Sequence, residues 1–166
     1  YKEYFGERAD DIKQGILSQM ALTYPLGMQI EGQEGYMIRV PLVFNDDGSI
    51  AFGAEVLEGS RVSIMLGTKE KSIEAAKDVA QNVAAEFGDV SPAALFISDC
   101  VARKKLYGPD VSQEITEVTN ILGKDVPLVG FYSYGQHAPL YGVVADINTC
   151  DPNFYEESIV IFALGE

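Results

Sequence analysis

The sequence has no tryptophan, one histidine (His137) and two cysteines (Cys100 and Cys150) among its 166 residues. Two cysteines are too few for a disulfide scaffold, and both are expected to be free thiols in a reducing compartment. A zinc site would have to combine Cys100, Cys150 and His137. These lack the short paired spacings that make such sites recognisable, so no metal and no cofactor are expected. Positive charge is scarce as well: 12 Lys and Arg stand against 25 Asp and Glu, a net charge of −13. Such a surface repels phosphate backbones and anionic bilayers, which argues against nucleic acid or membrane as partners. No apolar run reaches the ~20 residues of a membrane span. No signal peptide opens the chain, and neither common glycine-rich phosphate loop is present. The expectation is a cytoplasmic protein. Because the sequence begins at Tyr1 without an initiator methionine, it is expected to be a piece of a longer one.

What is present is a globular composition, 47% apolar and 22% charged, long enough for one domain with a real core. Ile12, Ile16 and Met20 predict a helix from about Ala9 to Leu22, closed by Tyr24-Pro25-Leu26-Gly27. Tyr36–Val40 and Leu42–Phe44 read as strands on either side of Pro41. Asp47-Gly48 makes a turn into a returning strand, Ile50–Gly53. Val62–Leu66 is a further strand. Ile73, Ala76, Ala80, Val83 and Phe87 give the clearest helical stripe, with Gly88 at its C-terminal cap. Ala94–Ile97 reads as a short buried strand. Asp110, with Gln113 in a capping box, introduces a third helix through Val111, Ile115, Val118 and Leu122. Leu128–Tyr134 reads as a buried strand, and Gly130 within it implies a bulge or a close backbone approach. Leu140–Asn153 reads as loop and Ile159–Leu164 as a final strand. The expected fold is α+β: a single domain over residues 1–166, with a central, mostly antiparallel or mixed sheet and about three helices.

Chemistry gathers at two strand ends. Cys100 and Arg103 follow the Leu95–Ile97 strand. There Arg103 could lower the thiol pKa or hold an anion in its fork; the plainer alternatives are a buried small hydrophobe and a solvated basic turn. Gly135, Gln136 and His137 close the other strand, with Tyr132 and Tyr134 as candidate pocket walls. Cys100 and His137 would make a nucleophile–base pair if they met, but no third orienting group is evident.

Three stretches carry a likeness to a known family. Tyr1–Gly6 with Tyr24–Gly27, Phe96–Arg103 followed by Leu106-Tyr107-Gly108, and Pro127–Gln136 resemble the C-terminal part of the FIST domain. This is a sensory module of bacterial and archaeal signalling proteins with eukaryotic F-box relatives. Gln136 stands where the family motif carries Glu, and Tyr155-Glu156 or Glu156-Glu157 where it carries His-Asn. The resemblance implies a non-catalytic domain that binds a small ligand, such as an amino acid or another small carboxylate, and signals to an attached output domain. The candidate pocket residues are Cys100, Arg103, Tyr132, Tyr134, Gly135, Gln136 and His137. Arg103 would hold the carboxylate. The rival readings are a cysteine hydrolase built on Cys100 and His137, and a protein-interaction module without a ligand.

Overall fold

The computed structural model describes residues 1–14, 18–30, 35–139, 148 and 152–165, and the chain divides into two units, Tyr1–Thr68 and Lys69–Glu166. In the first unit, helix α1 (Lys2–Phe5) runs into a 3-10 stretch, Gly6–Gln14, and helix α2 spans Gln19–Thr23. The single helix expected over Ala9–Leu22 is therefore not formed. Ser18 has the extended backbone of an N-cap, and its hydroxyl accepts from Ala21 N, so the α-helical register starts only there. Strand β1 (Leu26–Gln29) pairs antiparallel with β2 (Tyr36–Arg39) and with β5 (Val62–Ile64). Its onset was hidden by Pro25, which reads as a breaker but stands just before the first strand residue, where no ladder N–H is lost. Strands β3 (Pro41–Phe44) and β4 (Ile50–Phe52) form the hairpin expected around Asp47-Gly48, with Gly48 at φ 88°.

The second unit carries the larger core. Helix α3 (Lys69–Phe87) follows its apolar stripe and ends at Gly88, φ 61°, as expected. Strand β6 (Ala94–Cys100) leads without a loop into helix α4 (Val101–Tyr107), and helix α5 spans Ser112–Leu122. The anticipated capping box is absent: Val111 occupies the N-cap without a side-chain bond, and Asp110 instead pairs with Lys69 of α3. Strand β7 (Leu128–Ser133) pairs in parallel with β6, and β10 (Ile159–Leu164) pairs with β6 antiparallel from the other side. Two short strands, β8 (Gln136–Ala138) and β9 (Asn153–Tyr155), pair with each other. The α+β class is as expected. The described strands are distributed over four small sheets, and β6–β7 is the only parallel pair among them. The loop expected at Leu140–Asn153 lies mostly outside the described residues.

Alternation along β6 decides what faces what. Leu95 and Ile97 point to α3 and α5, where they bury with Ala76, Ala80, Val83, Val118 and Leu122. Burying each large aliphatic side chain there contributes roughly 1.5–3 kcal/mol. Phe96 points the other way and meets Phe131 of β7 edge-on at 5.7 Å. That face stays open, with Val129, Phe131 and Phe162 more than half exposed. Strand β7 is thus at most half-buried, with Leu128 and Tyr132 partly covered on one side, a correction to the buried strand its apolar run implies. Gly130 serves close approach: a Cβ there would run into the carbonyl oxygen of Ile97 on the neighbouring strand.

Candidate functional site

Asp99 is the next residue of β6 on the helix side after Ile97, and Arg103 lies one turn into α4. Their i,i+4 spacing brings Arg103 Nε to 3.2 Å from Asp99 Oδ1. Glu114 enters from the first turn of α5 and is fully buried. Its Oε1 accepts from Arg103 Nε at 3.0 Å, from Arg103 Nη2, and from the Tyr107 hydroxyl at 2.8 Å. Arg103 also donates from Nη2 to the Ser72 carbonyl of α3 at 2.8 Å, and from Nη1 to the Glu157 carbonyl at 3.3 Å. One guanidinium therefore ties α3, α4, α5 and the approach to β10 together. Burial lowers its tendency to hold a proton, but Glu114, Tyr107 and Asp99 outweigh that and hold it charged.

The carboxyls outnumber that charge. Asp99 is 2% exposed, and neither of its oxygens has a hydrogen bond; Glu114 Oε2 and Glu157 Oε1 are in the same condition. Burial first, and the neighbouring Glu114 second, push Asp99 up to about 8 against the weaker pull of Arg103. Burial likewise raises Glu157 to about 8. Beside Asp99 lies a half-open pocket of about 150 Å³, lined by Ile97, Asp99, Ile115, Leu128, Gly130, Phe131 and Tyr132. Its walls are apolar and aromatic apart from that one carboxyl. The Lys104 ammonium rests 4.8 Å from the centroid of the Tyr132 ring.

The residues expected to form the site fall into two groups. Arg103 and Tyr132 belong to the ionic cluster and the cavity. Cys100, Gln136 and their neighbours lie elsewhere, because Cys100 points to the opposite face of β6 from Asp99. Cys100 is 1% exposed and donates to the Tyr134 carbonyl at 3.6 Å; burial pushes its thiol pKa up, the reverse of an activated nucleophile. Gln136 is buried in a hydroxyl network. Its Nε2 donates to Ser133 Oγ at 2.8 Å, and its Oε1 accepts from Ser158. Ser133 Oγ lies 3.3 Å from Ser98 Oγ. Gly135 leaves room for the Phe154 ring, which a Cβ would strike. His137 faces solvent from β8 with its ring 5.2 Å from Phe154, and the Tyr134 side chain is exposed. Adjacent residues of β8 point to opposite faces, so buried Gln136 and exposed His137 do not share one pocket. Arg103 is not a solvated turn residue but the buried centre of the cluster.

Asp99, Tyr107, Glu114 and Glu157 escaped sequence reasoning. One signal was available: Glu114, Val118 and Leu122 share four-residue spacing, so a carboxylate sits on the buried stripe of α5 and requires a partner there. Among the described residues no group of three His, Cys, Asp or Glu is placed to hold a metal ion. None of the described helices is long and apolar enough to cross a membrane.

The second unit thus combines an α+β layer with a buried ionic cluster beside a small cavity, and its buried Cys100 lies on the opposite face of β6 from both. The chain matches the family model of the FIST C domain over residues 1–139, and it belongs to that family. It is thus a sensory domain of the kind found in signal-transduction proteins. Searches of curated proteins and of solved structures found no match.

Proposed function

We propose that this domain senses a small molecule in the cavity between β6, β7 and α5, in the cytoplasm, and passes its occupancy to an attached signalling output domain. The observation that carries this reading is the cavity itself: apolar walls with a single buried, hydrogen-bond-free carboxyl, Asp99, set into them. Pockets for small ligands combine apolar lining with few fixed polar groups. A cavity of this order of volume holds a molecule about the size of benzene. Amino acids and other small carboxylates, the class suggested by the family likeness, fit that size at their small end. Of the expected pocket residues, Tyr132 serves as a wall. Arg103 acts through Asp99, since its guanidinium already has partners on three sides.

The test is a thermal-shift screen of amino acids, organic acids and small amines against the wild type and Ile115→Phe, which fills the cavity. At ~100 times its dissociation constant a ligand stabilises by roughly 2.7 kcal/mol. For a chain of this size that raises Tm by roughly 5–10 °C. The expected hit shifts the wild type and not Ile115→Phe. Hits that shift both equally place the ligand elsewhere.

A further inference from the structure

We infer that the group recognised in this cavity is a small organic cation, an alkylammonium, and that Asp99 is its anchor. This rests on the proposed ligand-sensing cavity and assigns its chemistry. The inference stands on the charge arrangement around Asp99. One guanidinium, Arg103, pairs with two buried carboxyls, Asp99 and Glu114, and meets Glu157 through that residue's backbone carbonyl. Arg103 spends two of its nitrogens on Glu114, and its Nε lies 3.2 Å from Asp99 Oδ1 without forming a hydrogen bond there. Asp99 Oδ2 is buried on a side chain that lines the cavity, with no protein donor in good hydrogen-bond geometry and the Glu114 carboxyl beside it. A buried carboxyl without a donor costs free energy that an incoming donor relieves.

The remaining wall fits the same class. Tyr132 offers a ring face to positive charge, as Lys104 already shows by resting on it at 4.8 Å. A carboxylate has no comparable place. Arg103 is engaged with protein acceptors and Lys104 with Tyr132, and an anion would enter near the Glu114 carboxylate and raise the burial cost further. Other groups that face Asp99 are Tyr107 from α4 and Tyr132 from β7, both phenols that stay neutral because burial raises them. With its pKa near 8, Asp99 holds a proton at neutral pH. The ammonium replaces that proton, which passes to solvent, and Asp99 becomes the counter-ion. No covalent bond forms or breaks beyond that proton transfer.

The experiment is titration calorimetry with four probes of one chain length: n-butylammonium, 1-butanol, butyrate and 2-aminobutyrate. The proteins are the wild type, Asp99→Asn, Lys104→Ala and Ile115→Phe. On the wild type, n-butylammonium is expected to bind at least tenfold tighter than the other three. It should release close to one proton at neutral pH, read by repeating the titration in buffers of different ionisation enthalpy. Asp99→Asn should reduce the amine to the level of the alcohol, and Lys104→Ala should strengthen it by freeing the Tyr132 face. If amine and alcohol bind equally, without proton release, and Ile115→Phe excludes both, the cavity is a ligand site but the cationic assignment is wrong. Tighter binding of butyrate or 2-aminobutyrate overturns it in the same way. If no probe binds and the amino-acid screen is also empty, the cavity reading fails with it. Should Asp99→Asn not fold, the amine–alcohol comparison and the proton count on the wild type decide alone.

Discussion

A buried carboxyl whose folded pKa lies above its unfolded value binds its proton more tightly in the fold. Its contribution to stability is therefore complete below the unfolded pKa and lost as pH rises to the folded one. For Asp99 that window runs from 3.8 to about 8. Glu157 acts in the same direction from 4.5 to about 8. The domain is therefore expected to be more stable at about pH 5 than at about pH 9, the reverse of a protein held by exposed salt bridges. Asp99→Asn keeps the shape and removes the titration. It should raise stability at the alkaline end by ~2–4 kcal/mol and flatten the profile. Urea midpoints across that range check this; a wild type equally stable at both ends would show that Asp99 is ionised in the fold and satisfied there.

Among the elements, the parallel pairing of β6 with β7 depends on Gly130. The methyl group of Gly130→Ala would press on the Ile97 carbonyl, which cannot move without breaking the ladder. The expected cost is ~1–3 kcal/mol, with faster amide exchange along β7 than in α3. A variant with wild-type midpoint and exchange would mean that the strands part easily there. How far elements were legible in the sequence follows from their length. Helix α3 repeats its apolar spacing from Ile73 to Phe87, about four turns, and β10 is an unbroken apolar run. Helix α4 is seven residues without a capping side chain, and it begins where β6 stops, so its Arg-Lys-Lys reads as a turn. Strands β8 and β9 have three residues each, too few to show a period. The site was half legible for the same reason. Arg103 stood out as a cation at the end of a strand, but its distant partners come from α3, α5 and the residues before β10. Only the tertiary fold brings those together.

At the scale of the molecule, a net charge of −13 spread over 166 residues works against compactness through self-repulsion. Raising NaCl from ~10 mM to ~0.5 M screens it within a few ångströms and should raise Tm by several degrees. A flat or falling response would show that specific ion pairs, not repulsion, dominate the surface. Within the second unit, β6 pairs on one side with β7 and on the other with β10. The Glu157 carbonyl that Arg103 requires lies 54 residues further along the chain. On a ribosome, which releases the amino end first, helices α3 to α5 and strand β7 emerge with one edge of β6 still unpaired and Arg103 still short of an acceptor. The charged core is sealed only when the final strand arrives. A nascent chain halted before Glu157 would hold the helices, the parallel strand pair and the cavity-lining residues, but with one edge of β6 bare and Arg103 short of one acceptor, so the unit's last hydrogen bonds form in a late step of its own synthesis.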